Sequence, residues 1–224
     1  MITEGHDAGL ADLDLRATAD VVRALNDANA VVLEALREAE GALVALVDAA
    51  AARTGRVIYA GAGSAGQMAA ADADEWGPTF SVAESAVVAL VAGASLPPGP
   101  LREGAEDDAD AGAGELSALA PTADDVVIGV SASGRTPYTL GALRAARDAG
   151  ALTAAVVCAP DSPMAAAADH AVVLPVGPEV IAGSTRLKAG TAQKLALTPT
   201  TASEGEGCTD SRSRCPASAS SSAA

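Results

Sequence analysis

Three turns in this sequence carry glycines and hydroxyls, and two of them cations, at spacings that suit an anion. The first is Gly61-Ala62-Gly63-Ser64-Ala65-Gly66, which satisfies the pattern G-x-G-x-x-G. A dinucleotide site would also need an acid at the end of the second strand, to hold a ribose hydroxyl. That strand ends Val91-Ala92-Gly93-Ala94-Ser95, and the nearby acid, Glu84, precedes it at the wrong end. The dinucleotide reading fails there. A small-residue loop with Ser64 at a helix start and Gly66 behind it still suits a phosphate or a sugar hydroxyl, although tight strand–helix packing accounts for the glycines equally well.

The second turn is Ser131-Ala132-Ser133-Gly134-Arg135-Thr136-Pro137. Thr136 can cap the following helix with Pro137 in its first turn. Ser131, Ser133, Gly134 and Arg135 exceed what capping requires. Hydroxyls and free backbone N–H groups at a helix N-terminus make a phosphate receptor. The third is Gly183-Ser184-Thr185-Arg186-Leu187-Lys188-Ala189-Gly190-Thr191, where Ser184 and Lys188 are the candidate ligands and an ordinary helix start is the plain alternative. Two acids complete the set. Glu75 stands where a helix is expected to end against Gly77-Pro78. Glu106 falls in Glu103, Glu106, Asp107 and Asp110, spaced like one face of a helix. From spacing alone both acids read as solvent-facing.

Composition limits the partners. With 14 basic and 29 acidic residues the formal net charge is −15, a field that opposes nucleic acid and anionic membrane. An anionic ligand must then be held by local devices. The histidines His6 and His170 and the cysteines Cys158, Cys208 and Cys215 follow no metal spacing, so no metal is expected. No signal peptide and no apolar run long enough for a membrane span are evident, and a cytoplasmic protein is the expectation.

The elements that must position these residues alternate. Strands are expected at Arg56–Ala60, Ala86–Ala92, Asp125–Val130, Leu152–Cys158 and Ala171–Val176, with helices near Ser64–Asp74, Leu101–Leu119, Pro137–Ala149 and Met164–Ala168. Apolar runs separated by helices indicate an α/β fold, a doubly wound five-stranded parallel sheet flanked by helices. Residues 1–46 form an N-terminal helical extension, with helical stretches near Thr18–Asn26 and from Ala30 onward; 47–197 form the sheet domain. Residues 198–224 are a Ser/Ala/Gly-rich tail expected to be disordered.

As a set, these stretches resemble the sugar-isomerase (SIS) phosphosugar-binding domain. The likeness is closer to the N-acetylmuramic acid 6-phosphate etherase family, with the glucokinase regulatory proteins behind it. It rests on Thr3-Glu4-Gly5, Leu25-Asn26-Asp27, Gly61–Gly66, Asp72-Ala73-Asp74-Glu75 with Pro78-Thr79-Phe80, Glu103-Gly104-Ala105-Glu106-Asp107, Ser131–Tyr138 and Gly183–Lys194. There are departures. Asp74, Trp76 and Gly77 stand where the family usually has a small residue before the acid and Cys-Pro after it. The family's C-terminal helical region is replaced after Leu197 by the Ser/Ala tail, so a truncated or frame-shifted gene is expected.

The resemblance implies an SIS fold and a carbon–oxygen lyase of amino-sugar recycling. Such an enzyme removes D-lactate from N-acetylmuramic acid 6-phosphate and leaves N-acetylglucosamine 6-phosphate. It further implies Glu75 as the acid assisting lactate departure, Glu106 as the base at C2, no cofactor, and a homodimer whose pocket draws on both subunits. A non-catalytic phosphosugar-binding regulatory module is the alternative. An aldose–ketose isomerase ranks last, because neither histidine lies near the candidate turns.

Overall fold

The computed structural model describes residue 5 and residues 7–96 and 104–202. Thr3, Glu4, His6, Glu103, Cys208, Cys215 and the tail from 203 lie outside them. Helices α1 (Thr18–Asp27), α2 (Ala30–Glu38) and α3 (Glu40–Ala51) lead into β1 (Val57–Gly61). There follow α4 (Gly63–Phe80), β2 (Val87–Val91), a 3-10 turn at Gly104–Asp107, α5 (Ala109–Ala118) and β3 (Val126–Ser131). The chain continues through α6 (Pro137–Asp148), β4 (Leu152–Val157), α7 (Pro163–Ala167), β5 (His170–Val173) and α8 (Lys188–Ala202).

All the pairings are parallel and the order is β2-β1-β3-β4-β5. The strands are Val- and Ala-rich because both faces are covered. Along β1, Val57 and Tyr59 join one core with α2, α3, α4 and α8, while Ile58 and Ala60 join the other with α5, α6 and α7. The sheet is therefore doubly wound, as expected from the sequence. Leu43 and Leu46 of α3 lie in the first core, and α3 runs across the 46/47 boundary. His170 opens the edge strand β5. In this strand order the connections leave β1 and β3 in opposite directions, and the crevice between their carboxyl ends is where ligands sit in open α/β sheets.

Several elements differ from the sequence expectation. Helix α4 does not stop at Asp74 but continues through Pro78 to Phe80, so Glu75 lies within it. The anchor is Trp76, which is buried, donates its indole N–H to Asp72 at 3.2 Å, and packs edge-to-face on Phe80 with 6.3 Å between ring centroids. Those contacts outweigh the hydrogen bond that Pro78 removes. Trp76 is thus a core residue and does not face the candidate turns. Among the described residues of the expected Leu101–Leu119 helix, the chain breaks at Asp108, whose extended backbone and carboxylate, accepting from Ala111 N at 2.8 Å, start α5 afresh. Glu106 therefore belongs to the preceding 3-10 turn and not to a helical face shared with Asp110. The segment from Ala30 divides at Ala39 into α2 and α3, leaving Leu33 and Val44 exposed. Helix α8 runs to Ala202, past the expected start of the tail.

Helices α5 and α6 cross at backbone contact. A Cβ at Gly112 would stand 2.0 Å from the Tyr138 carbonyl oxygen, and one at Gly141 would stand 1.9 Å from that of Ala109. The crossing ties the turn bearing Glu106 to the helix that follows Ser131–Thr136. Tyr138, buried at this contact, donates its hydroxyl to Glu115.

Candidate functional site

The crevice between β1 and β3 opens into a hollow of about 360 Å³. Its walls include Ser64 at the start of α4, Ser131, Ser133, Arg135 and Thr136 after β3, and Glu106. With Gly183 and Thr185, four separate stretches of sequence meet there.

The β3 turn is held from several sides. Ser131 Oγ pairs with Thr136 Oγ1 at 2.8 Å and accepts from Gly134 N at 3.0 Å, and Arg135 N donates to Ser133 Oγ at 3.3 Å. Gly134 has φ +63°, and a Cβ there would meet Ser162 Oγ at 2.3 Å, so no side chain fits. Thr136 does not cap α6 as expected, because its hydroxyl is turned to Ser131. Ala62 offers α4 no side-chain cap either. The first N–H groups of both helices thus lack an intrahelical partner and a side-chain cap, which suits an anion. Arg135 is the cation on the wall, and Glu106 and Asp107 supply its acids.

The other candidates lie elsewhere in the chain. Gly66 is buried, and a Cβ on it would meet Gly61 C at 2.8 Å; it lets α4 lie against β1. Ser184 is half-buried, while its neighbours Gly183 and Thr185 line the hollow. Lys188 lines a different hollow beside Asp7, Asp27 and Glu34, with its backbone N–H bonded to Glu179. Glu75 lines a third, between α4 and α8, with Met68, Asp72, Phe80 and Lys194. Along α4 the span from Ser64 to Glu75 is roughly 16 Å at a rise of about 1.5 Å per residue. Glu106 therefore sits among the turns and Glu75 does not.

Three further residues at or near this hollow were not among the candidate ligands. Asp107 and Thr185 line it, and Glu179 is a buried carboxylate at the start of α8. Thr185 stands inside a cluster already marked by its hydroxyls. Glu179 had only its setting between Pro178 and Val180-Ile181 to signal burial.

Among the described residues no group of His, Cys, Asp or Glu side chains is arranged to hold a metal ion, and no helix is long and apolar enough to cross a membrane.

Known proteins resemble this chain over most of its length. The profile of the glucokinase regulatory protein N-terminal SIS domain matches residues 41–147, and that of the SIS domain matches 110–199. The N-acetylmuramic acid 6-phosphate etherase of Streptomyces avermitilis is 48% identical over 200 residues, which are 88% of this chain and 64% of that protein. The protein of the same name from Salmonella typhi is 45% identical over 203 residues, 88% of this chain and 67% of its own length. The chain thus spans about 64% of the length of the first of these relatives. Among solved structures, a protein of Escherichia coli superposes with a TM-score of 0.62 at 18% identity, covering 85% of this chain and 93% of that one. A phosphoheptose isomerase from Francisella tularensis gives 0.62 at 14% identity, over 85% of this chain and 100% of its own. These two likenesses show the fold.

Proposed function

The chain belongs to the N-acetylmuramic acid 6-phosphate etherase family, and on that premise we propose that it is a lyase removing D-lactate from N-acetylmuramic acid 6-phosphate. The observation that carries the reading is the meeting of Glu106 with the Ser131–Thr136 turn and Ser64 in one hollow. The sugar phosphate sits against the hydroxyls, Arg135 and the open N-termini of α4 and α6. Ring opening gives an aldehyde that acidifies C2–H. Glu106 takes that proton, and the C3–O bond breaks as the lactate oxygen is protonated. Water then adds back across the C2–C3 double bond, giving N-acetylglucosamine 6-phosphate. The reaction needs no redox step, and the chain's own carboxyl groups supply the proton transfers.

C2 and C3 are bonded neighbours, so one protomer's Glu75 and Glu106 do not both reach a sugar in its own hollow. Glu75 acts from a second copy, in a homodimer whose sites each take one glutamate from either chain. A second reading, a phosphosugar-binding regulatory module, is favoured by the seat of Glu75 in a separate hollow. Incubation of the purified chain with N-acetylmuramic acid 6-phosphate and assay of D-lactate separates the two. Stoichiometric release of lactate is expected. Thermal stabilisation by amino-sugar 6-phosphates without any lactate would establish the regulatory module instead.

A further inference from the structure

Helix α8 begins without a cap of its own, since the residue before it is Leu187. The missing acceptors come from Glu179, across the intervening turn. Its Oε2 accepts from Lys188 N at 3.0 Å and its Oε1 from Ala189 N at 2.9 Å. Glu179 is 1% exposed, and no salt bridge involves it among the described residues. A carboxylate so buried is retained only where it is well solvated by the protein, here by two N–H donors at the positive end of a helix. An ordinary cap sits next to its helix. This one closes a loop, and the loop leads to the hollow. The next N–H of the helix, Gly190, donates to the Thr185 carbonyl at 2.8 Å, and Ser184 N donates to Ile181 O at 2.9 Å. Gly183 turns at φ +74°, and Gly183 and Thr185 form one wall of the sugar-phosphate hollow.

We propose that Glu179 is a positioning residue of that hollow: by holding the first turn of α8 from beneath, it fixes Thr185 against the bound phosphosugar. The inference rests on the phosphosugar reading of the hollow and names a residue outside it on which its shape depends. The carboxylate also fills the anion-attracting start of α8, leaving the starts of α4 and α6 to take the phosphate.

The test uses the full chain, N-acetylglucosamine 6-phosphate as the probe in calorimetry, and amide hydrogen exchange over 183–187. Glu179→Gln keeps the shape but sets an amide N–H₂ against one of the two backbone donors. It is expected to weaken the probe about tenfold, the scale of one lost hydrogen bond, and to speed exchange over 183–187. Thr185→Ala is expected to weaken it comparably, and Glu179→Gln with Thr185→Ala together to lose no more than the worse single variant. Unchanged affinity in folded Glu179→Gln, or losses that multiply in the double variant, would overturn the proposal. Should Glu179→Gln fail to fold, Glu179→Asp keeps the charge on a shorter arm. It must then bind the probe several-fold more weakly, and wild-type affinity overturns the proposal. If the wild-type chain does not bind the probe, the phosphosugar reading fails on its own. Exchange then decides, with acceleration over 183–187 supporting the hold by Glu179 and unchanged exchange refuting it.

Discussion

Glu106→Gln is expected to lower lactate release by roughly 10²–10⁴-fold, the usual contribution of a positioned general base. The affinity for N-acetylglucosamine 6-phosphate should change little. Glutamine matches glutamate in shape and keeps a carbonyl oxygen in the hollow, but it cannot take a proton at neutral pH. The hydroxyls of Ser64, Ser131, Ser133 and Thr136 and the Arg135 guanidinium that line the hollow remain, so the proposed grip on the phosphate is expected to stay intact. Steady-state lactate assays beside calorimetry on the same sample read both quantities. A variant that turns over at the wild-type rate would remove Glu106 from the chemistry. One that loses binding and turnover equally would make it a binding residue.

Asp125→Asn is expected to destabilise the fold by about 3 kcal/mol, the lower end for breaking a buried ion pair, because Arg56 keeps 29% of its side chain exposed to water. That corresponds to a fall in Tm of about 6–12 °C for a chain of this size. Asp125, 2% exposed, accepts from Arg56 Nη2 at 2.8 Å, Arg56 N at 2.7 Å and Thr122 N at 2.8 Å. Arg56 also reaches the Leu119 carbonyl at 3.0 Å, which ties β1, β3 and the end of α5 together. The Arg56 guanidinium hydrogen bond, against the opposing effect of burial, holds the Asp125 carboxyl well below the usual carboxylate range. A depressed folded-state pKa gives stability that is full above the unfolded value of about 3.9 and is lost as pH falls through the folded one. The gap in Tm between wild type and Asp125→Asn should therefore be constant near neutrality and narrow below about pH 4. Thermal melts at several pH values check this. The staple lies at the amino ends of the strands, opposite the hollow, so phosphosugar affinity in the folded variant should be unchanged.

What could be read beforehand follows from how local the controlling interactions are. The strands were legible because Val57–Gly61, Val126–Ser131 and Leu152–Val157 are buried throughout and carry no competing signal. The conformations of the turns at Gly61–Gly66 and Ser131–Thr136 depend largely on contacts between residues close in the chain. Helix ends were not legible. Asp108 starts α5 afresh through its own backbone angle, while Pro78 fails to stop α4 because Trp76 is buried four residues from Phe80. The sorting of candidate residues among hollows also depends on contacts remote in sequence. Ser184, Thr185 and Lys188 stand in one polar cluster in the string, yet Thr185 lines this hollow and Lys188 a different one. Glu75 shows the same limit. Its motif was visible, but its distance from the turns is a property of the long helix α4.

On the proposed mechanism Glu106, seated among the turns proposed to hold the phosphate, removes the C2 proton before lactate leaves. Running the reaction in deuterium oxide and reading the N-acetylglucosamine 6-phosphate by NMR tests it directly. Solvent deuterium is expected at C2 in product formed one-for-one with D-lactate. Product that retains its original C2 proton, or no lactate from a folded and dimeric sample, would contradict it.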